Sequence, residues 1–121
     1  MKLIDKAKEI ILLHLLEHDF LNEERFSKTY ARGKFRIKKW GKRRIGRELK
    51  SKNISDYNIK SAMKEIDEAE YYTTFDKLAE KRFLELTETD IYKKRKKLAN
   101  YLLYRGWESD LVYKKVVELI S

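Results

Sequence analysis

The sequence contains 121 residues, of which 42% are hydrophobic and 40% are charged, with no cysteine and no proline. That length suits one domain or a short repeat array, and the lack of cysteine excludes disulfides and thiolate metal sites. The formal net charge of +9 is typical of a protein that binds a polyanion or an acidic protein surface.

The chain begins with an apolar segment, EIILLHLLEH (9–18), which predicts a helix over about residues 3–18. The segment is shorter than the roughly 18 apolar residues of a membrane span, and no small-residue cleavage site of a signal peptide follows it. We therefore expect a soluble, cytoplasmic protein without membrane contact. His14 and His18 stand at helical spacing, but no third ligand accompanies them, so no metal site is predicted.

Six further helices are predicted, in two consecutive sets of three. Four glycines and no proline leave few helix breakers, and no strand-type alternation stands out. The first set spans about 23–38, 42–52 and 56–70, and the second about 74–86, 90–105 and 109–120. The residues expected to cap or precede these helices are Asn22, Gly41 and Ser55 in the first set, and Thr89 or Asp90 and Glu108 or Ser109 in the second.

The two sets repeat one another at a constant offset of 53 residues, without a gap. Asn53 aligns with Gly106, and these residue types best tolerate the left-handed backbone that ends a helix. The apolar pairs are Ile45 with Leu98, Leu49 with Leu102, Ile54 with Trp107, Ile59 with Val112, Met63 with Val116 and Ile66 with Leu119.

This repeat predicts an all-α protein of tandem three-helix units in an elongated, curved array. Residues 1–19 are expected to form the third helix of an incomplete first repeat. Residues 20–71 are expected to form a three-helix repeat with a basic second helix, and residues 72–121 a further three-helix repeat.

The positive charge is concentrated in one part of the chain. Residues 32–52 contain eleven basic residues and one acid, whereas the other 100 residues carry 18 basic and 19 acidic residues. On a helix over 42–52, Ile45 and Leu49 lie on one side, while Arg43, Arg47 and Lys50 lie on nearly the opposite side. Like charges at this spacing repel, so folding gains nothing from the cluster. This favours a binding role, although a merely solvated helix face is the simpler alternative.

A second basic run, KKRKK (93–97), occupies the middle helix of the second unit. Arginine can bind a phosphate or a carboxylate through two parallel hydrogen bonds, which suits either kind of anionic partner. The predicted partner-binding residues are Arg32, Arg36, Lys39, Arg43, Arg44, Arg47, Lys50, Lys93, Lys96 and Lys97.

Other candidate sites receive less support. Trp107 aligns with an apolar residue and is expected in the core, while Trp40 suits the core and a recognition role equally. Exposed tyrosines could stack on bases, but tyrosines more often bury the ring and leave the hydroxyl in water. The sequence has no cysteine nucleophile, phosphate-binding glycine loop or HExxH motif. We therefore predict no enzyme, no catalytic residue, no cofactor and no metal.

Three segments resemble the RecX family. FLNEERF (20–26) resembles the acidic opening of its central repeat, and LLYRGWESDLV (102–112) the close of its last repeat. GKRRIGRELKSKNIS (41–55) resembles its most distinctive stretch, in which a glycine precedes paired arginines and EL follows. By this likeness, Arg43, Arg44 and Arg47 take the place of the family's basic second-helix residues, and Arg32 and Arg36 fall in its first-helix basic stretch. Members usually show a fuller first repeat, of which we expect only the last helix here.

The resemblance implies a regulator of recombination, DNA repair and the SOS response that binds the RecA recombinase and its DNA filament and inhibits it. We expect a monomer. The residues themselves leave two alternatives. One is a helical module that binds DNA directly and without sequence preference, which would weaken steeply with salt. The other is a passive scaffold that binds a different acidic protein.

Overall fold

The computed structural model describes residues 22–121, so the predicted N-terminal helix and the pair His14 and His18 lie outside the described residues. Within the described range the fold has six α-helices and no strand, which confirms the all-α prediction. None of these helices is long and apolar enough to cross a membrane. The helices are α1 (22–38), α2 (Lys42–Ser51), α3 (Asp56–Met63), α4 (Glu68–Glu85), α5 (Ile91–Tyr104) and α6 (Ser109–Leu119).

The third helix of the first set is shorter than predicted. The expected helix over 56–70 was wrong, because α3 ends at Met63, and the expected start of the next helix at 74 was wrong, because α4 begins at Glu68. Asp67 causes the break, since its carboxylate accepts a hydrogen bond from the backbone N–H of Glu70 at 2.9 Å and caps α4. The division of the chain into units stays a prediction, and the helix break at 64–67 lies a few residues before its boundary at 71.

The repeat is visible in the backbone hydrogen bonds that end α2 and α5. After α2, Asn53 N–H donates to the carbonyl of Lys50 at 3.0 Å, and the next N–H to that of Leu49 at 3.2 Å. After α5, Gly106 N–H donates to Leu103 at 3.0 Å, and the next N–H to Leu102 at 3.3 Å. Both turn residues have positive φ, 63° and 92° respectively. The predicted alignment of these two residues is therefore confirmed at the level of single hydrogen bonds.

The core is centred on Trp107, which is fully buried as predicted. Its ring centre lies 4.6 Å from that of Tyr71 and 5.2 Å from that of Phe75 on α4, and 6.4 Å from that of Phe35 on α1. Its indole N–H donates to the carbonyl of Lys39 in the α1–α2 loop at 3.2 Å. One residue of the second unit thus packs against helices of both units.

Two glycines bring the α1–α2 loop into main-chain contact with the α5–α6 turn. Gly41 N–H donates to the carbonyl of Arg105 at 2.8 Å, and Arg43 N–H donates to the carbonyl of Gly106 at 3.0 Å. A Cβ atom on Gly41 would lie 2.4 Å from the carbonyl oxygen of Gly106, and one on Gly106 would lie 2.2 Å from the Cβ of Arg44. This close approach fixes the start of α2 against the second unit.

Tyr71 of α4 also holds the start of α2. Its hydroxyl accepts a hydrogen bond from the backbone N–H of Lys42 at 2.8 Å and donates one to the carboxylate of Glu108. Burial, reinforced by that carboxylate, raises the pKa of Tyr71 far above its usual range. The hydroxyl therefore stays protonated, and α2 begins at a fixed position and orientation.

Candidate partner-binding surface on helix α2

The exposed side of α2 carries three cationic side chains that have no acidic partner among residues 22–121. Ile45 and Leu49 are fully buried on its inner side, whereas Arg43, Arg47 and Lys50 are exposed on its outer side. Within residues 22–121, no carboxylate oxygen lies within 4.0 Å of these three charged groups. We call Arg43, Arg47 and Lys50 the ridge. Its charge is not used by any ion pair of the described fold.

A shallow groove of about 620 Å³ runs beside the ridge, between α2 and α3. The ridge residues line it together with Lys42, Asp56 and Glu108, and its apolar residues are Gly46, Ile59 and Met63. Ile59 and Met63 were predicted as apolar positions of the repeat, and they pack on the core while remaining partly exposed. We call Gly46, Ile59 and Met63 the groove floor. A cationic wall and an apolar floor therefore adjoin each other.

Arg44 points away from the ridge, although it was predicted with it. Its guanidinium carbon lies 4.1 Å from the ring centre of Trp40 and 4.8 Å from that of Tyr104 at the end of α5. Its Nη1 also donates to the carbonyl of Tyr104 at 3.3 Å. The Nζ amine of Lys34 lies 5.0 Å from the centre of the same Trp40 ring. These cation–π contacts give Trp40 and Arg44 a role in joining α2 to the second unit.

The predicted contact residues on α1 already have acidic neighbours. Arg32 lies 3.8 Å from a carboxylate oxygen of Glu65, and Arg36 lies 3.5 Å from one of Glu70. Both arginines are about half exposed, so each pair contributes at most about 1 kcal/mol and leaves the side chain accessible. Lys39, in the α1–α2 loop, is exposed and has a positive φ of 59°.

The predicted residues of α5 form a separate group near the start of that helix. Lys93, Lys96 and Lys97 are exposed, and Lys97 lies 3.0 Å from Glu88, whose pKa its hydrogen bond lowers. Lys93 stands about 16 Å along the helix axis from Tyr104, the residue that contacts Arg44. Of the predicted residues, the ridge residues thus share one face of α2, while Arg44 turns to Tyr104 and the others lie on α1, in the α1–α2 loop and on α5. Their role in binding stays a prediction.

The groove floor is the part of the surface that the sequence did not reveal. Gly46 was the available signal, because a glycine inside an amphipathic helix is unfavourable and often has a packing or functional reason. Ile59 and Met63 carry no such signal, since apolar residues at helical spacing predict core positions. Within residues 22–121, no group of three or more His, Cys, Asp or Glu residues is arranged to hold a metal ion.

The features of residues 22–121 define a class: an all-helical protein of consecutive three-helix domains in which α2 presents a cationic face. Residues 22–63 match the second three-helix domain of RecX, and residues 68–116 match the third. The chain belongs to the RecX family. No solved structure gives a significant match.

Relatives support this assignment. Regulatory protein RecX of Yersinia enterocolitica is 30% identical over 116 residues, which cover 93% of this chain and 68% of that relative. The protein of the same name from Clostridium perfringens strain SM101 is 36% identical over 99 residues, 79% of this chain and 45% of that relative. That of Clostridium acetobutylicum is 30% identical over 121 residues, 97% of this chain and 56% of that relative. The chain thus spans about half the length of these clostridial relatives, and their name is that of a regulator.

Proposed function

We propose that this protein binds the RecA recombinase and its DNA filament and inhibits recombinase activity. Membership of the RecX family supports the choice of partner. The observation that carries the mode of binding is the ridge, whose three cations are exposed and have no acidic partner within residues 22–121. Two arginines among them can each bind a carboxylate or a phosphate through paired hydrogen bonds.

The ridge predicts the effect of the triple substitution Arg43→Gln, Arg47→Gln and Lys50→Gln. We expect the concentration that half-inhibits RecA-driven DNA strand exchange to rise at least about tenfold, since one lost hydrogen bond to a charged group is worth about 1.5–3 kcal/mol. The melting temperature should stay the same or rise slightly, because the substitutions remove like-charge repulsion between neighbouring turns. Strand exchange and circular dichroism measure the two effects.

A matched control variant distinguishes the loss of the ridge from a general loss of net charge. Lys77, Lys81 and Lys114 are exposed on α4 and α6, and their replacement by glutamine removes the same charge. The control variant should inhibit RecA like the unaltered protein. An equal loss in the control would assign the effect to net charge. Failure of the unaltered protein to inhibit strand exchange at stoichiometric amounts would refute the proposed function.

Direct DNA binding is the second candidate function. The ridge favours it because its guanidinium groups have no carboxylate partner in the described part of the chain. Such groups bind a phosphate as well as they bind a protein carboxylate. If each ridge cation neutralises one phosphate, the logarithm of the DNA affinity should fall with the logarithm of the salt concentration at a slope of about −2.7. Titration of a labelled duplex without RecA tests this. Tight duplex binding with this salt slope, without any effect on RecA-driven strand exchange, would favour this candidate over RecA inhibition.

A further inference from the structure

Gly46 is a glycine that the described fold does not require. A Cβ atom on this residue would lie 3.4 Å from Cε of Met63 and 3.8 Å from Cγ2 of Ile59, which are ordinary contact distances. Its φ is not positive, unlike that of Gly106. Alanine is the better residue inside a helix, so α2 would be more stable with alanine at this position. What glycine provides is an open groove floor between α2 and α3.

The floor and the ridge together restrict what the groove can bind. Ile59 and Met63 keep apolar surface exposed at the bottom of the groove, and burial of that surface requires an apolar group from the ligand. Arg43 and Arg47 on the wall can pair with an anion. No carboxylate oxygen of residues 22–121 lies within 4.0 Å of either charged group, although Asp56 and Glu108 also line the groove. A phosphate backbone satisfies the wall but offers no apolar group to the floor. An acidic protein segment with an apolar side chain among its carboxylates satisfies both.

We propose that the groove between α2 and α3 binds such an acidic protein segment. An apolar side chain of the segment packs on Gly46, Ile59 and Met63, and its carboxylates pair with the ridge. This proposal rests on the proposed function, in which RecA supplies the segment. RecA and DNA then contact different parts of the surface. The RecA segment packs on the groove floor and pairs with the ridge, whereas DNA phosphates contact the ridge alone.

Two substitutions of Gly46 fill the groove floor without changing the net charge of the protein. Gly46→Leu places a side chain in the groove, and Gly46→Ala narrows the groove by one methyl group. Gly33→Ala is the matched control, because Gly33 also lies inside a helix and a Cβ there would have no neighbour within 4 Å. Each variant is measured for binding to immobilised RecA without DNA, for binding to a labelled single-stranded oligonucleotide, and for melting temperature.

We expect Gly46→Leu to weaken RecA binding at least about tenfold, equivalent to about 1.4 kcal/mol, and to leave oligonucleotide binding within about twofold of the unaltered protein. Gly46→Ala should weaken RecA binding about threefold while it raises the melting temperature by roughly 4 °C. Gly33→Ala should give the same rise in melting temperature with unchanged binding. Lower affinity in a more stable protein is a result that a purely structural role for Gly46 does not give.

Three outcomes would overturn the groove proposal. If Gly46→Ala and Gly46→Leu bind and inhibit RecA normally while the ridge variant fails, the floor is not part of the interface and the proposed function stands. If both substitutions weaken oligonucleotide binding as much as RecA binding, the groove belongs to DNA. If sedimentation shows a dimer that Gly46→Leu dissociates, a second copy occupies the groove. Failure of the unaltered protein to bind RecA would overturn the proposed function and, with it, the assignment of the groove to RecA.

Discussion

Replacing Gly106 by alanine is expected to destabilise the fold by at least about 3 kcal/mol. Its φ of 92° is unfavourable for any residue with a Cβ, and the added atom would lie 2.2 Å from the Cβ and 2.4 Å from the backbone nitrogen of Arg44. The clash involves α2 itself, so a side-chain rotation cannot relieve it. Urea unfolding followed by circular dichroism measures the loss, and an unchanged midpoint would contradict the close approach of the α5–α6 turn to α2.

The aligned residue Asn53 provides an internal comparison. Asn53 has a φ of 63° and is exposed, so its position demands the left-handed backbone but not the close contact. Asn53→Gly should therefore change the free energy of unfolding by less than about 0.5 kcal/mol. Gly106→Asn should remain destabilising, because asparagine tolerates the backbone angle but still carries the Cβ that meets Arg44. If Gly106→Asn is as stable as the unaltered protein, glycine is needed at this position only for its backbone angle and not for its lack of a Cβ.

Periodicity and caps made much of the fold predictable from the sequence. The repeat predicted that Ile45 and Leu98 would be equivalent, and both are fully buried. The shared turn geometry at Asn53 and Gly106 followed from residue type. The predicted extension of α3 to residue 70 was wrong, although the sequence contains a signal for a new helix there. Asp67, followed three residues later by Glu70, is a typical helix-capping pattern.

The candidate site was less predictable, because its details depend on long-range contacts. Helical spacing was enough to place Arg43 and Arg47 on the exposed side of α2. It did not show that Glu65 and Glu70 pair with two arginines of α1, nor that Arg44 turns to an aromatic ring of α5. The closeness of these groups is set by how the units pack, which the local pattern does not contain.

The basic residues between positions 32 and 52 therefore have different roles. Cations of α1 pair with acids of the α3–α4 turn and of α4, and Arg44 joins α2 to the second unit. The three ridge cations share one helix face and make no ion pair within residues 22–121. Since α2 is held at its start by Tyr71 and by the α5–α6 turn, the ridge is presented on a rigid element. Rigid presentation lowers the entropy that binding would otherwise lose.

The second large effect is expected at Trp107, which the repeat aligns with Ile54. Trp107→Ala should lower the free energy of unfolding by about 3–5 kcal/mol, because it removes a fully buried ring that contacts α1 and α4 and leaves the carbonyl of Lys39 without its indole donor. Ile54 is only partly buried against the same core, so Ile54→Ala should lower it by roughly 1–2 kcal/mol.

Comparing Trp107→Ala with Ile54→Ala tests whether the two aligned positions of the repeat contribute unequally to the free energy of unfolding. Sequence alignment treats the two residues as equivalent, whereas the structure gives Trp107 contacts with both units and Ile54 a place near the edge of the core. Chemical unfolding of the two proteins under identical conditions compares them directly. Trp107→Ala should also make the transition less steep if the two units then unfold separately. Equal losses of stability in the two variants would mean that each unit has its own centre, and Trp107 would not be what joins them.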